Sequence, residues 1–482
     1  MGNIPLDRWQ YRIGKSPAQG AVAVGDFFVE TGPGIGCYEL SDHSGRNMGV
    51  LIGFPIDLTQ NCMVERDHTL AFDHTGDHDL FAEQLIETLA GRYLFVSAGQ
   101  DGVRIYPDST AMVPCVYDPV AQVAGCSADS LLSDAEYDAR FLHDLSQTLD
   151  LENFGWFPGG LTAHQGIERL LPNHCLDLNT WTAHRFWPRT ELQTAPDPAE
   201  NVAEIIDLVQ RQIRIVQDSG RRVALPLTAG RDTRMLLACA RPMKDDIDVV
   251  TVAGADSHAM DTIMSAKIAG GVGLNHRLLP RTEASAKERD AYLRRGGHCV
   301  SDGNSWYFPS VAPLIDRHIF MGGAGGEIAR AFYWQPGDTA KTTLTGEQLS
   351  GRMGCRHVPD LIDRLSKWIA DVPSQDTFRL LDLVYVEQRM GPWSSAQFPC
   401  DPNLVRFAPF LTHRCVELMI GLPPGWKRSG QLTDEIVQQG WPELGRYKYN
   451  SLGPVQDAAM KARQAISNPS LVTRKLRKLM TK

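Results

Sequence analysis

The chain has 482 residues, enough for two or three domains at about 150 residues each. Its 43% hydrophobic and 22% charged content is that of a folded globular protein and excludes wholesale disorder. With 48 Lys and Arg against 57 Asp and Glu the net charge is −9, which argues against a dedicated nucleic-acid binder, since such proteins neutralise phosphates with basic side chains.

The first 190 residues read as short strands and turns. Ala21–Glu30 (AVAVGDFFVE), Met48–Gly53, Tyr93–Ala98 and Val103–Tyr106 are β-branched or aromatic runs broken by Gly, Asp and Pro, and Asp79–Leu89 is patterned as a helix. Thr190–Ala199 is polar with two Pro and reads as a linker. Beyond it Val202, Ile205, Val209, Ile213 and Val216 recur at 3- and 4-residue spacing, the apolar stripe of one helix. Val223–Leu227, Asp248–Ala253 and His318–Met321 are apolar strand candidates, and Thr262–Ala269 is a helix between two of them. Strand alternating with helix predicts an α/β fold with a parallel sheet covered on both faces. From about Leu361 to Leu422 the pattern is mostly helical, and Lys461–Lys482 carry seven Lys or Arg, a solvated basic face or a contact for an anionic partner or leader peptide.

Ten Cys are scattered singly with no Cys-x-x-Cys pair, which excludes a zinc ribbon or a thioredoxin-type motif and points to free thiols in a reducing cytoplasm. No export signal is visible at the N-terminus, and no run of about 18 apolar residues is present to span a bilayer.

The chemistry is concentrated after the first of these apolar strands, in Thr228-Ala229-Gly230-Arg231-Asp232-Thr233, which leads into an apolar helix. Small residues let backbone N–H groups converge, the hydroxyls of Thr228 and Thr233 add donors, and the helix presents its positive end, so the turn suits an anion. Asp232 would repel a bare phosphate and therefore implies a bridging Mg²⁺. The Lys of a Walker P-loop is missing. By itself the pattern also fits a Gly-containing turn capped by Asp and Thr.

Four blocks in order give a resemblance. Thr228–Thr233 resembles the Ser-Gly-Gly-x-Asp-Ser signature of the asparagine synthetase family of ATP-pyrophosphatases (PP-loop amide ligases). Val250–Gly254 with Asp261–His276, Phe320–Glu327, and Pro409–Leu418 resemble its later blocks, and Leu89–Val96 with Val103–Asp108 resemble the hairpin of its glutaminase domain. The resemblance implies an Ntn-hydrolase-like α+β sandwich over 1–190, a linker at 191–200, and a parallel-sheet, adenine nucleotide α-hydrolase-like synthetase domain with a helical C-terminal part over 201–455. A basic tail follows over 456–482. ATP and Mg²⁺ are the implied cofactors. The pyrophosphate would lie on Thr228, Ala229, Gly230, Arg231, Asp232 and Thr233, the adenine near Leu225, Val252 and Gly322, and the metal on Asp232 and Glu327. Lys448 is the implied catalytic Lys, and Glu387, beside Gln388 and Arg389, a general base in the acceptor pocket.

Two departures from the family matter. Position 2 is Gly2 where a glutaminase of this class carries its Cys nucleophile, so no glutamine hydrolysis is expected. Gly326 stands where family members carry an Asp. The implied activity is adenylation of a substrate carboxylate and its coupling to an amine. The acid would be a natural product, a peptide closed to a lasso-type macrolactam, or a saccharide-linked acid. An ammonia-dependent asparagine synthetase and a nucleotide-binding pseudoenzyme are the other readings.

Overall fold

The computed structural model describes residues 5–458 apart from 75, 100, 254–258, 315–317, 401–403 and 455. The basic tail beyond Ala458, Gly254 and Gly2 therefore lie outside the described residues.

The N-terminal half is built on two sheets. One has the order Glu168–Arg169, Val116–Asp118, Val123–Gly125, Tyr11–Gly14, Phe27–Thr31, Val22–Val24, antiparallel throughout. The other runs Thr182–Arg185, His174–Asp177, Gly102–Pro107, Leu89–Gly99, Asn47–Asp57, Gly36–Ser41, His68–Thr69, with only the last pair parallel. Tyr11, Ile13, Phe27 and Val29 of the first sheet share one core with Val50, Ile52, Leu94, Val96 and Ile105 of the second, so the sheets pack face to face. The opposite face of the second sheet, with Leu51, Phe95 and Tyr106, is covered by the helix His78–Thr88 through Phe81 and Leu85.

The run Ala21–Glu30, patterned as one strand, is a hairpin. Val24 pairs with Phe27, and Gly25 takes φ +56°, the left-handed conformation a two-residue hairpin loop demands.

The polar stretch before Pro198 carries no regular structure, and Asp197 caps the helix Pro198–Asp218 by accepting from the Ala199 N–H at 2.8 Å. Val202, Ile205, Val209, Ile213 and Val216 are all fully buried, as their spacing predicts. Each contributes about 1.5–3 kcal/mol of burial. The same continuous core includes Phe81 and Phe95 of the first half and Leu225, Leu365 and Phe410 of the second. The two halves are therefore fused by packing.

The second half is mixed α/β around a five-stranded parallel sheet, in the order His276–Pro280, Ile247–Ala253, Arg222–Pro226, His318–Met321, Arg406–Phe407. Numbered along the chain, that is 3-2-1-4-5, so the strand order reverses between Arg222–Pro226 and His318–Met321. At such a reversal the connections leave to opposite faces and open a crevice at the carboxyl ends of the two strands. The helices Pro359–Asp371, Thr377–Val384, Gly391–Ala396 and His413–Gly421 form the helical part. Among the described residues no helix is long and apolar enough to cross a membrane.

Candidate functional site

The crevice at the strand-order reversal holds a pocket of about 280 Å³ lined by Asp232, Thr233, Gly323, Ala324, Glu327, Tyr385, Arg389, Met390 and Trp393. Three segments converge on it. The turn Thr228–Arg231 follows the first strand of the sheet and leads into the helix Asp232–Cys239. Gly322–Gly325 follows the fourth strand and passes so close that a Cβ on Gly323 would lie 2.6 Å from the Asp232 backbone. The third is a π-helical turn, Tyr385–Met390, continuing into Gly391–Ala396. Its wide winding turns Tyr385, Arg389 and Met390 into the pocket.

The turn is tied down by its own side chains. Thr233 Oγ1 accepts from the Thr228 N–H at 3.1 Å and lies 2.9 Å from Thr228 Oγ1, which accepts from Gly230 N–H at 3.1 Å. Ala229 N–H donates to Asp261 Oδ1 at 2.8 Å. The amides of Thr228, Ala229 and Gly230 are thus engaged internally, which corrects the expectation that they converge on an anion. The donors left over are those of the first turn of the helix beginning at Asp232, which has no preceding turn to pair with. On the outer side the segment Tyr447–Asn450 packs against the turn: Asn450 N–H donates to Ala229 O at 2.9 Å, Arg234 donates to Tyr447 O, and Arg231 and Arg234 lie 4.4 and 4.8 Å from the Tyr449 ring centre. Lys448 lies in that segment, its side chain exposed.

Asp232 and Glu327 face each other, as a shared cation requires. Arg330 bridges them, its Nη2 at 2.8 Å from Asp232 Oδ1 and 2.9 Å from Glu327 Oε1. Burial and the neighbouring Glu327 push the Asp232 carboxyl up to about 6, against the pull of Arg330. Burial, then the charge of Glu327 and a hydrogen bond to it, raise the Tyr385 phenol well above its usual range. Two hard oxygen donors of like charge converging on one point are a donor set that fits Mg²⁺. Gly326 bears on the same point: a Cβ there would lie 2.5 Å from Asp232 Oδ1. Its bareness is what lets Asp232 sit where it does.

Leu225, Val252, Gly322 and Glu387, all expected at the site, do not line this pocket. Leu225 is enclosed in the core at 1% exposure and reaches neither pocket with its side chain. Val252 packs toward Phe320 and Tyr307, and Gly322 lines a smaller apolar pocket of about 130 Å³ with Met112, Phe320, Ala324 and Trp393. That pocket adjoins the first through Ala324 and Trp393. Glu387 is fully buried on the far side of the π-helical turn, its oxygens taken by Arg185 (2.8 Å to each), Asn173 (2.9 Å) and Trp368 (2.6 Å). This corrects its assignment as a general base: it has no lone pair turned to the pocket. Gln388 likewise faces away, accepting from the Gly159 N–H at 2.8 Å. Of that trio only Arg389 enters the site, held 4.5 Å from the Trp156 ring centre and 4.8 Å from that of Phe332.

Arg330, Tyr385 and Trp393 are the residues that pattern reading misses. Arg330 follows the fourth strand's loop three residues after Glu327, whereas Tyr385 and Trp393 belong to the continuous π-helical and helical segment, which reaches the site by packing against the sheet.

A larger cavity, about 700 Å³, lies elsewhere, among Asp118, Asp129, Asp134, Arg140 and Arg294. Its guanidiniums are already paired, Arg140 to Asp118 at 2.9 Å and Arg294 to Asp134 at 2.6 Å, so it is a poorer phosphate site despite its size.

No protein-family model matches the chain, and no curated protein matches it. Among solved structures it is similar to an NH3-dependent NAD synthetase from Campylobacter jejuni in complex with the nitrate ion, at 13% identity and a TM-score of 0.19, over 36% of this chain and 74% of that one.

Proposed function

We propose that the chain is an ATP-dependent amide-forming ligase of the asparagine synthetase type, with a glutaminase-like, Ntn-type first half that has lost its chemistry. The observation that carries this reading is the Thr228–Thr233 turn at the strand-order reversal of a parallel sheet, with Asp232, Glu327 and Arg330 converging beside it. A crevice of this kind is where open parallel sheets take nucleotides.

In this reading the diphosphate of ATP lies on the helix N-terminus at Asp232–Thr233, and Arg330 and Arg389 bear on the reacting groups. Asp232 and Glu327 would hold Mg²⁺, which neutralises charge on the leaving diphosphate when bound. A substrate carboxylate attacks the α-phosphorus and pyrophosphate departs, leaving an acyl-adenylate. An amine then attacks the acyl carbon, AMP leaves, and the nitrogen loses a proton. Lys448, next to the turn, stabilises the negative charge that develops. Two sheets packed face to face in the first half support a glutaminase-like scaffold there. The acid is of natural-product, peptide or saccharide-linked type, the partner a small amine or a peptide carrying its own, and the setting the cytoplasm.

The test is ATP–[³²P]pyrophosphate exchange with a panel of acids. Acid-dependent exchange that Asp232→Ala abolishes supports the ligase, and exchange with aspartate alone identifies an asparagine synthetase. The Arg330 bridge favours one other reading, a nucleotide-binding protein without catalysis, because the guanidinium already occupies the place a metal needs. Nucleotide binding with no exchange across the panel would establish that reading instead.

A further inference from the structure

We propose that Asp79, Cys175 and His184 form a zinc-class metal site in the N-terminal half, separate from the nucleotide crevice and independent of the function proposed for it. Cys175 and His184 are cross-strand partners on His174–Asp177 and Thr182–Arg185, so their side chains leave the same face of the sheet side by side. Asp79 comes down on them from the first turn of the helix His78–Thr88.

The three donor atoms lie within 4.8 Å of one another. Cys175 Sγ is 3.2 Å from His184 Nε2, which is 3.0 Å from Asp79 Oδ2. Tetrahedral zinc with bonds of about 2.3 Å to sulfur and about 2.0–2.1 Å to nitrogen or oxygen needs donors about 3.5 Å and about 3.4 Å apart, so the side chains need to open by only a few tenths of an ångström.

The surroundings suit an ion. The register that pairs Leu176 with Ile105 places Tyr106 beside Cys175, and the Tyr106 hydroxyl donates to Asp79 Oδ1 at 2.7 Å. That bond fixes the carboxylate with Oδ2 toward His184, the orienting role that outer partners play at metal centres. Arg104 lies 3.4 Å from Asp79 and 3.6 Å from Asp177. With the thiol ionised, Asp79, Asp177, Cys175 and Arg104 sum to −2, which one divalent ion neutralises. Cys175 is buried whereas the His184 side chain is 43% exposed, leaving a way in and room for a water as fourth ligand. A soft sulfur, an imidazole and one carboxylate select zinc over magnesium or calcium.

The experiment is Co²⁺ titration of the full-length chain, followed by Zn²⁺ competition. The expected result is one Co²⁺ per chain with a thiolate-to-cobalt charge-transfer band that Zn²⁺ abolishes. Cys175→Ala removes the band, His184→Gln weakens binding at least 100-fold, and Tyr106→Phe weakens it about 10–100-fold. Asp232→Ala, in the other half, leaves the band unchanged. His184 is exposed, so its variant is not expected to unfold the chain, and circular dichroism checks this. Absence of a charge-transfer band in the wild type, or a band that survives Cys175→Ala, overturns the proposal.

Discussion

Replacing Glu387 with Ala separates a structural carboxylate from a catalytic one. Glu387 joins the two halves of the molecule: Asn173 and Arg185 reach it from the first half, Trp368 from the second, and it is wholly buried. Arg185 is nearly as enclosed, with 4% of its side chain exposed, and its Nε also meets Asp371 at 3.2 Å. Removing one member of a buried ion pair strands the other without solvent and costs about 3–5 kcal/mol. At about 2.1 cal/mol/K per residue, unfolding 482 residues carries an entropy of about 1 kcal/mol/K, so the melting temperature falls by about 3–5 °C.

The fall is expected as a shift of one transition, because a single core runs through both halves. Scanning calorimetry at low and high protein concentration measures it. The double variant Arg185→Met with Glu387→Leu recovers part of the loss, since it leaves no buried charge unpaired, while the Asn173 and Trp368 donors still lack their acceptor. The reasoning fails if Glu387→Ala leaves the melting temperature unchanged. It also fails if that variant loses pyrophosphate exchange while its stability is intact, which would return Glu387 to the chemistry.

Asp232→Asn removes exchange, and it also alters the pH dependence of the nucleotide-free protein. A carboxyl raised to about 6 in the fold contributes stability that is complete below its unfolded value near 3.9 and is lost as the pH rises through 6. The Asn variant should therefore gain on wild type in melting temperature between pH 4 and about 6.5, and a constant difference across that range would show that Asp232 is not raised. Gly323→Ala and Gly326→Ala should differ in kind. The first drives a Cβ into the backbone at Asp232 and Thr233, which cannot yield, and costs about 1–3 kcal/mol along with nucleotide binding. The second meets only the Asp232 carboxylate, which can turn, so affinity for the Mg²⁺-nucleotide falls while the melting temperature holds; titration calorimetry beside a melting curve separates the two. Lys448→Ala lowers exchange by about 10²–10³-fold with stability unchanged, as its side chain is exposed. Wild-type exchange rates in that variant would remove Lys448 from the reaction.

What a sequence displays is set by how one-sided each element's environment is. The stripe Val202–Val216 is readable because one helix face meets core and the other meets water, and His318–Met321 because both faces are covered. The strand His276–Pro280 escapes notice for the opposite reason. It lies at the edge of the parallel sheet with only Leu279 buried, so HRLLP shows neither alternation nor an apolar run. Arg406–Phe407, the other edge, is two residues long and leaves no period to detect.

The site divides in the same way. The turn Thr228–Thr233 can be read because its small and hydroxyl residues are consecutive, and the backbone itself makes the shape. Its electrostatics cannot be read, because they depend on groups far apart along the chain. Arg330, three residues beyond Glu327, meets Asp232 where the loops after the fourth and first strands come together, and Tyr385 joins them when the helical part closes on the sheet. Glu387 shows how one turn of winding decides function. In an ordinary α-helix Glu387 and Arg389 stand about 200° apart, and the wider π-helical turn still leaves them on different sides. One of two neighbouring charges is therefore spent holding the halves together and the other is delivered to the pocket, a division that only packing decides.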